Sequence, residues 1–331
     1  MKRRRACWRD AVAIRSTMIL SQLSALALSL FAPATLKLTG TIETEFEEIW
    51  SVAISSDGKH VLASEFSGLR VYDLATKKEL VHSERWTEPC ALASNAPIAV
   101  AFGGAEIAAL DFPGLKPSRS IPLKAMGMDQ SAPTAIAVTR DGSGACIGDD
   151  EGRFAWIDLK TGKVRQLHRF KGGLVSVAIS PDGRMAAASS SDSEVLVMEV
   201  GSGEVAARLN GLEEVVGTLT FSADGSSLIA GSDDGILRQF DAKDWSEVSR
   251  GRHQGIAFCA VALPGSSRVL VASAGESSEN SRISLLSLPG FKTLAFADVK
   301  GGIWWLAVTP DARTLVACGE SSKIRIFSVA D

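Results

Sequence analysis

Short apolar runs recur along most of the chain, each bounded by Gly, Asp, Asn or Ser. Val175-Ser-Val-Ala-Ile179, Arg268-Val-Leu-Val-Ala272 and Ile236-Leu-Arg-Gln-Phe240 are examples. They are too short for helices and rich in β-branched residues, so they read as strands. Between the first and second run of a unit stands a recurring four-residue turn: Ser55-Ser-Asp-Gly58, Thr139-Arg-Asp-Gly142, Ser180-Pro-Asp-Gly183, Ser222-Ala-Asp-Gly225 and Thr309-Pro-Asp-Ala312. In the third of these, Pro181 presets φ for the first turn position and Gly183 is free to take a left-handed conformation, which predicts a tight hairpin. A polar break follows, as in Asp149-Asp-Glu-Gly152 and Gly231-Ser-Asp-Asp-Gly235. A third run, a second turn (Thr161-Gly162, Ser202-Gly203) and a fourth run complete the unit. Each unit is therefore expected to be four antiparallel strands.

The spacing of the turns counts the units. From Asp57 to Asp141 is 84 residues, from Asp141 to Asp182 is 41, and from Asp182 to Asp224 is 42. The first interval is twice the others, which places a hidden unit with its turn at Ser94-Asn95. The 87 residues from Asp224 to Asp311 hide another, with its turn at Leu263-Pro-Gly-Ser266. Seven units with a period near 42 predict a closed array of seven four-stranded blades. The last unit stops after its third strand, whereas Leu36-Lys-Leu-Thr-Gly-Thr-Ile42 stands spare before the first. That strand is expected to complete the seventh blade and remove the open edge.

These residues resemble the WD40-repeat β-propellers, in a divergent form of bacterial type with Ser-Pro-Asp-Gly turns. The family's repeat opens Leu-x-Gly-His and ends its third strand in Trp-Asp. Here Leu209-Asn-Gly211-Leu212 matches the opening with Leu in place of His, and His253 takes the equivalent place one unit later. The Trp-Asp position holds Tyr72-Asp73, Leu110-Asp111, Ile157-Asp158, Met198-Glu199, Phe240-Asp241, Leu286-Ser287 and Phe327-Ser328, and in six units it begins 15 or 16 residues after the turn. No unit keeps the family's full His, Ser/Thr, Asp and Trp hydrogen-bonding set, so the blades are expected to be held mainly by apolar packing. The resemblance implies an all-β, seven-bladed propeller over residues 35–331 that works by binding a protein or peptide.

Charge narrows the partners. The formal net charge of −3 hides a basic start: residues 1–34 carry six basic side chains and one acidic. The remainder holds 29 basic and 37 acidic residues, a net −8, which gives no general attraction for phosphate backbones and argues against nucleic acid. Ser16 to Leu36 is free of charge, and Ala32-Pro-Ala34 presents small residues where a signal peptidase reads. Residues 1–34 are thus expected to be a signal peptide cleaved after Ala34, with the blades periplasmic or secreted; an uncleaved membrane anchor and a cytoplasmic chain are the alternatives. Contact with a membrane is expected only through that segment, and the chain by itself is expected to be a monomer.

Chemistry-bearing residues are thinly spread. Cys7, Cys90, Cys146, Cys259 and Cys318 have neither metal nor disulfide spacing, and the last four read as small buried hydrophobes. His60, His82, His168 and His253 fall in different units. Asp149-Asp-Glu151 and Asp233-Asp234 lack the alternate-residue spacing of a calcium loop, and Thr161-Gly-Lys163 is no phosphate cradle. No cofactor is implied, and a non-catalytic scaffold is the leading expectation. A lactonase-like or quinone-dependent dehydrogenase-like propeller is the alternative, and would need ligands converging on the channel. Trp50 and Trp304, each seven residues before a turn, are expected to pack across the ring closure. The binding face is expected to be the one bearing the connections between blades and between second and third strands. There the sequence places Trp86, Met126, Met128, Arg169, Lys171, Arg252 and His253, together with the long connections 122–133 and 273–282.

Overall fold

The computed structural model of the chain describes residues 34–45, 48–253, 255–274 and 280–330. Residues 1–33, which hold Cys7 and all but the last residue of the expected leader, lie outside them. The described residues form seven four-stranded antiparallel sheets. The blades run over 49–83, 87–122, 133–169, 174–208, 216–252 and 257–300, and the seventh combines 303–330 with the strand Thr35–Glu43. First strands of successive blades are neighbours, including those of blades seven and one, so they form the inner wall of a closed ring. Among the described residues no helix is long and apolar enough to cross a membrane.

Both faces of a blade pack on a neighbouring blade, and this explains why the inner strands read as near-continuous apolar runs. Alternate side chains serve opposite seams. Val100 joins the cluster between blades two and three, while Ala99 and Ala101 on the same strand join the cluster between blades one and two. The core is accordingly seven apolar clusters, one per seam. Tyr72, Leu110, Ile157, Met198, Phe240, Leu286 and Phe327, which occupy the Trp-Asp position, are all buried in these seams. Outer strands alternate with solvent, as in Glu247–Arg252.

The repeated turn works as the sequence suggests. Ser180 Oγ donates to Asp182 Oδ1 at 2.6 Å and accepts the Met185 N–H at 2.9 Å, while Arg184 N–H donates to Asp182 Oδ1 at 3.1 Å. Gly183 closes the turn at φ 73°. The same bonds recur around Asp57, Asp141, Asp224 and Asp311. Apolar packing does not hold the blades alone. Four third strands carry an arginine that ties back to the preceding turn: Arg70 to Glu65 at 3.1 Å, Arg153 to Asp149 at 3.0 Å, Arg238 to Asp234 at 3.1 Å, and Arg325 to Ser321 Oγ at 3.0 Å.

Closure follows the expected register. Thr35–Glu43 pairs antiparallel with Lys323–Ala330, from Thr35 opposite Ala330 to Glu43 opposite Lys323, with one irregularity between Leu38 and Gly40. Ile42 is fully buried between blades seven and one.

Candidate functional site

In every blade the pairing of the first and second strands shifts register just after the first residue of the inner strand. Such a bulge leaves one residue unpaired and re-aims its side chain. The seven bulges stand at one end of the inner ring, around the mouth of the channel. Three of them are aromatic and belong to consecutive blades: Phe258 in blade six, Trp304 in blade seven and Trp50 in blade one. The loop between second and third strands of blade one adds Phe66, 76% exposed, whose ring meets Trp50 edge-on at 6.4 Å. Ile256, just before the inner strand of blade six, is also exposed. An arc of apolar surface therefore borders the mouth on the face that carries the connections between blades.

Beside the exposed Phe66 the chain turns a carboxylate inward. The neighbouring Glu65 has a fully buried carboxylate that accepts the Tyr72 hydroxyl at 2.9 Å and faces Arg70 at 3.1 Å. Burial pushes the Glu65 carboxyl above its ordinary value, against the pull of Tyr72 and Arg70. Arg70 also reaches Glu79 and Glu45. Glu45 and Glu48 are exposed near this mouth, and a Cβ built on Gly302 would lie 3.0 Å from both Trp304 Nε1 and Glu320 Oε2. Carboxylates thus border the aromatic arc.

The residues picked from sequence divide into two groups. Trp86 is buried, 1% exposed, in the seam between blades one and two. It lies on Gly103, where an added Cβ would approach its ring to 2.5 Å, and the Arg85 guanidinium caps it at 4.6 Å while pairing with Glu106. Met126 and Met128 are buried as well. The connection 122–133 folds through the short 3-10 helix Leu123–Met126 onto the seam between blades two and three, so these two methionines fill core instead of facing a partner. All three are corrected to structural residues: their polar sequence neighbours concealed an apolar surface supplied by other strands.

Arg169 and Lys171 are exposed on the connection between blades three and four, and Arg169 reaches Glu151 at 3.4 Å. Arg252 is exposed on the connection between blades five and six, and His253 beside it is half-buried. These two border a flank groove of about 360 Å³ with Arg282 and Phe296, apart from the first pair. The ring of Trp50, expected to pack across the closure, meets Phe66 of its own blade. The aromatic bulges were missed, although Trp50 and Trp304 were visible at a shared distance from their turns. Phe258 stands at the corresponding place, six residues before Pro264 of a turn that lacks Asp.

Acidic loops prove to be structural. Asp149, its side chain fully buried, accepts from Ser131 Oγ and from the backbone N–H of Glu151 and Arg153. Asp234 accepts from Ser232 Oγ and Ile236 N–H. Among the described residues no three His, Cys, Asp or Glu side chains come together in a way that could hold a metal ion. Cys90, Cys146, Cys259 and Cys318 are buried thiols.

Comparison with known proteins agrees with the architecture. Residues 163–197 and 203–241 match the sequence profile of the family described as WD domain, G-beta repeat. Each matched stretch starts on the outer strand of one blade and ends on the third strand of the next, the same offset by which Thr35–Glu43 completes blade seven. The chain is also similar to the WD repeat-containing protein SL1-17 of Schistosoma mansoni, with 31% identity over 185 residues. That alignment covers 55% of this chain, and the chain spans 60% of the relative's length. The matched stretches lie in blades three to five, which are built like the other four, and the similarity to WD40 repeats agrees with the seven-bladed ring.

Proposed function

We propose that the chain is a non-catalytic scaffold that captures a protein or peptide at the channel mouth bordered by Trp50, Phe66, Phe258 and Trp304. The carrying observation is the concentration of aromatic bulge residues in three consecutive blades, backed by Phe66 at 76% exposure. Large aromatics at a water-exposed rim supply much of the free energy of association at interfaces, often about 2 kcal/mol or more each on truncation. The bordering carboxylates favour a partner that presents apolar and basic side chains. Arg169 and Lys171, and Arg252 and His253 beside the flank groove, add polar contacts from the connections between blades. The basic and then apolar N-terminal segment supports a setting in the periplasm or outside the cell.

The test is affinity purification from the native envelope with three chains: wild type, Phe66→Ser with Phe258→Ser, and Leu80→Ser with Val248→Ser on the outer strands. Partners identified by mass spectrometry should be lost only with the mouth variant, at unchanged melting temperature. Equal capture by all three chains would place the interface elsewhere.

A further inference from the structure

The other half of the channel has a different chemistry. A cavity of about 510 Å³ opens at the mouth formed by the turns between first and second strands, within the size range of small-molecule sites, roughly 300–1,000 Å³. Its wall is the apolar inner strands, with Phe221 and Trp305 as the aromatic members. The second position of six of the seven turns rims it: Asn95, Pro181, Ala223, Pro264 and Pro310 are small or uncharged, whereas blade three contributes Arg140. Among the described residues that line the cavity, Arg140 is the one that carries a charge. The side chain is exposed and spans the mouth, donating from one amino group to Ala223 O of blade five at 2.9 Å. A guanidinium has five N–H donors, and a single contact leaves an edge for an anion. Asp141 and Asp182 stand nearby, but each is engaged by the hydroxyl and backbone N–H groups of its own turn.

Trp305 marks the second departure from the repeat. At the equivalent place other blades carry a small residue that reaches the next blade: Ser176 Oγ accepts the Leu219 N–H at 3.1 Å, and Thr218 Oγ1 accepts the Ala260 N–H at 2.9 Å. Cys259 of blade six stands at the same place. An indole is too large for that slot, and Trp305 lines the cavity with 42% of its surface exposed. A lone cation at the rim and an open indole on the apolar wall are complementary to one kind of molecule. We propose that this half of the channel binds a small aromatic carboxylate, its anion on Arg140 and its ring against Trp305. The site is independent of the partner face at the opposite mouth.

Isothermal titration calorimetry of the full chain with 2-naphthoate, and with the neutral 2-naphthamide, tests this. The acid should bind saturably at one site and the amide about 10- to 100-fold more weakly, the range expected of a charge-assisted contact. Arg140→Pro, which installs the residue found at Pro181 and Pro310, and Arg140→Gln as a second variant should weaken the acid by the same factor without changing the amide. Trp305→Ser should weaken both ligands, with all melting temperatures within a few degrees of wild type. No saturable heat with the wild type, equal binding of acid and amide, or full affinity in both Arg140 variants would overturn the proposal. Binding of decanoate in place of 2-naphthoate would overturn the aromatic assignment.

Discussion

The strand Thr35–Glu43 should decide whether the ring holds. Its eight paired positions join the third strand of blade seven, and at a net stabilisation of about 1 kcal/mol per hydrogen bond they contribute roughly 8 kcal/mol. Ile42, fully buried among Ile49, Ile324 and Ile326, adds about 3 kcal/mol if cut to Ala. Together these terms are comparable to the whole stability of a folded domain, about 5–15 kcal/mol. Deleting residues 34–43 should therefore abolish the cooperative transition, and adding a synthetic peptide of residues 34–45 should restore it. Ile42→Ala alone should lower the melting temperature by roughly 5 °C, taking about 2.1 cal/mol/K of unfolding entropy per residue over a ring of about 300 residues. Leu38→Ala, at a side chain 51% exposed, serves as the control and should change little. Thermal and urea unfolding followed by circular dichroism and tryptophan fluorescence provide the readout. A deletion variant melting within a few degrees of the wild type would refute closure by this strand.

Trp86→Ala should destabilise the protein by about 3–5 kcal/mol in urea unfolding, because it empties a buried seam; a loss below about 1 kcal/mol would return Trp86 to the surface. Acid should weaken the fold. The hydroxyls of Ser180, Ser222 and Thr309, followed by backbone N–H groups, hold Asp182, Asp224 and Asp311 below the ordinary carboxylate range, and Ser143 leads in holding Asp141 at about 2. Carboxyls depressed in the folded state stabilise it above their ordinary value, about 3.9, and lose that contribution as pH falls toward the folded value. The melting temperature should thus drop between about pH 5 and pH 2, less so in Asp141→Asn, with raised Glu65 acting in the opposite sense; a flat profile would contradict this. Burial pushes the Cys259 thiol up to about 12 and raises that of Cys146 as well. In a Cys7→Ser chain, Ellman's reagent at pH 8 should label four thiols only after unfolding, and rapid labelling of the folded protein would argue against the buried placement.

The repeat was legible in sequence because its causes are local. A Ser or Thr two residues before Asp makes the same hydrogen bonds in each turn where it occurs, and strand alternation needs only neighbouring residues to be read. Seven such units at a constant period also fixed the blade count and identified the spare strand before Ile49. Burial in the connections could not be read in that way. Trp86 and Met128 sit among polar neighbours, yet strands distant in sequence cover them, and exposure depends on those partners. The channel mouths were hidden for a related reason. Trp50, Phe258 and Trp304 become one arc only when the ring brings blades six, seven and one side by side, and the inner-strand bulges turn them toward the mouth. Arg140 likewise looks like an ordinary turn residue until closure sets it across an apolar throat from Ala223. Local bonding wrote the blades into the sequence, whereas the surfaces at the two ends of the channel exist only because the chain closes on itself.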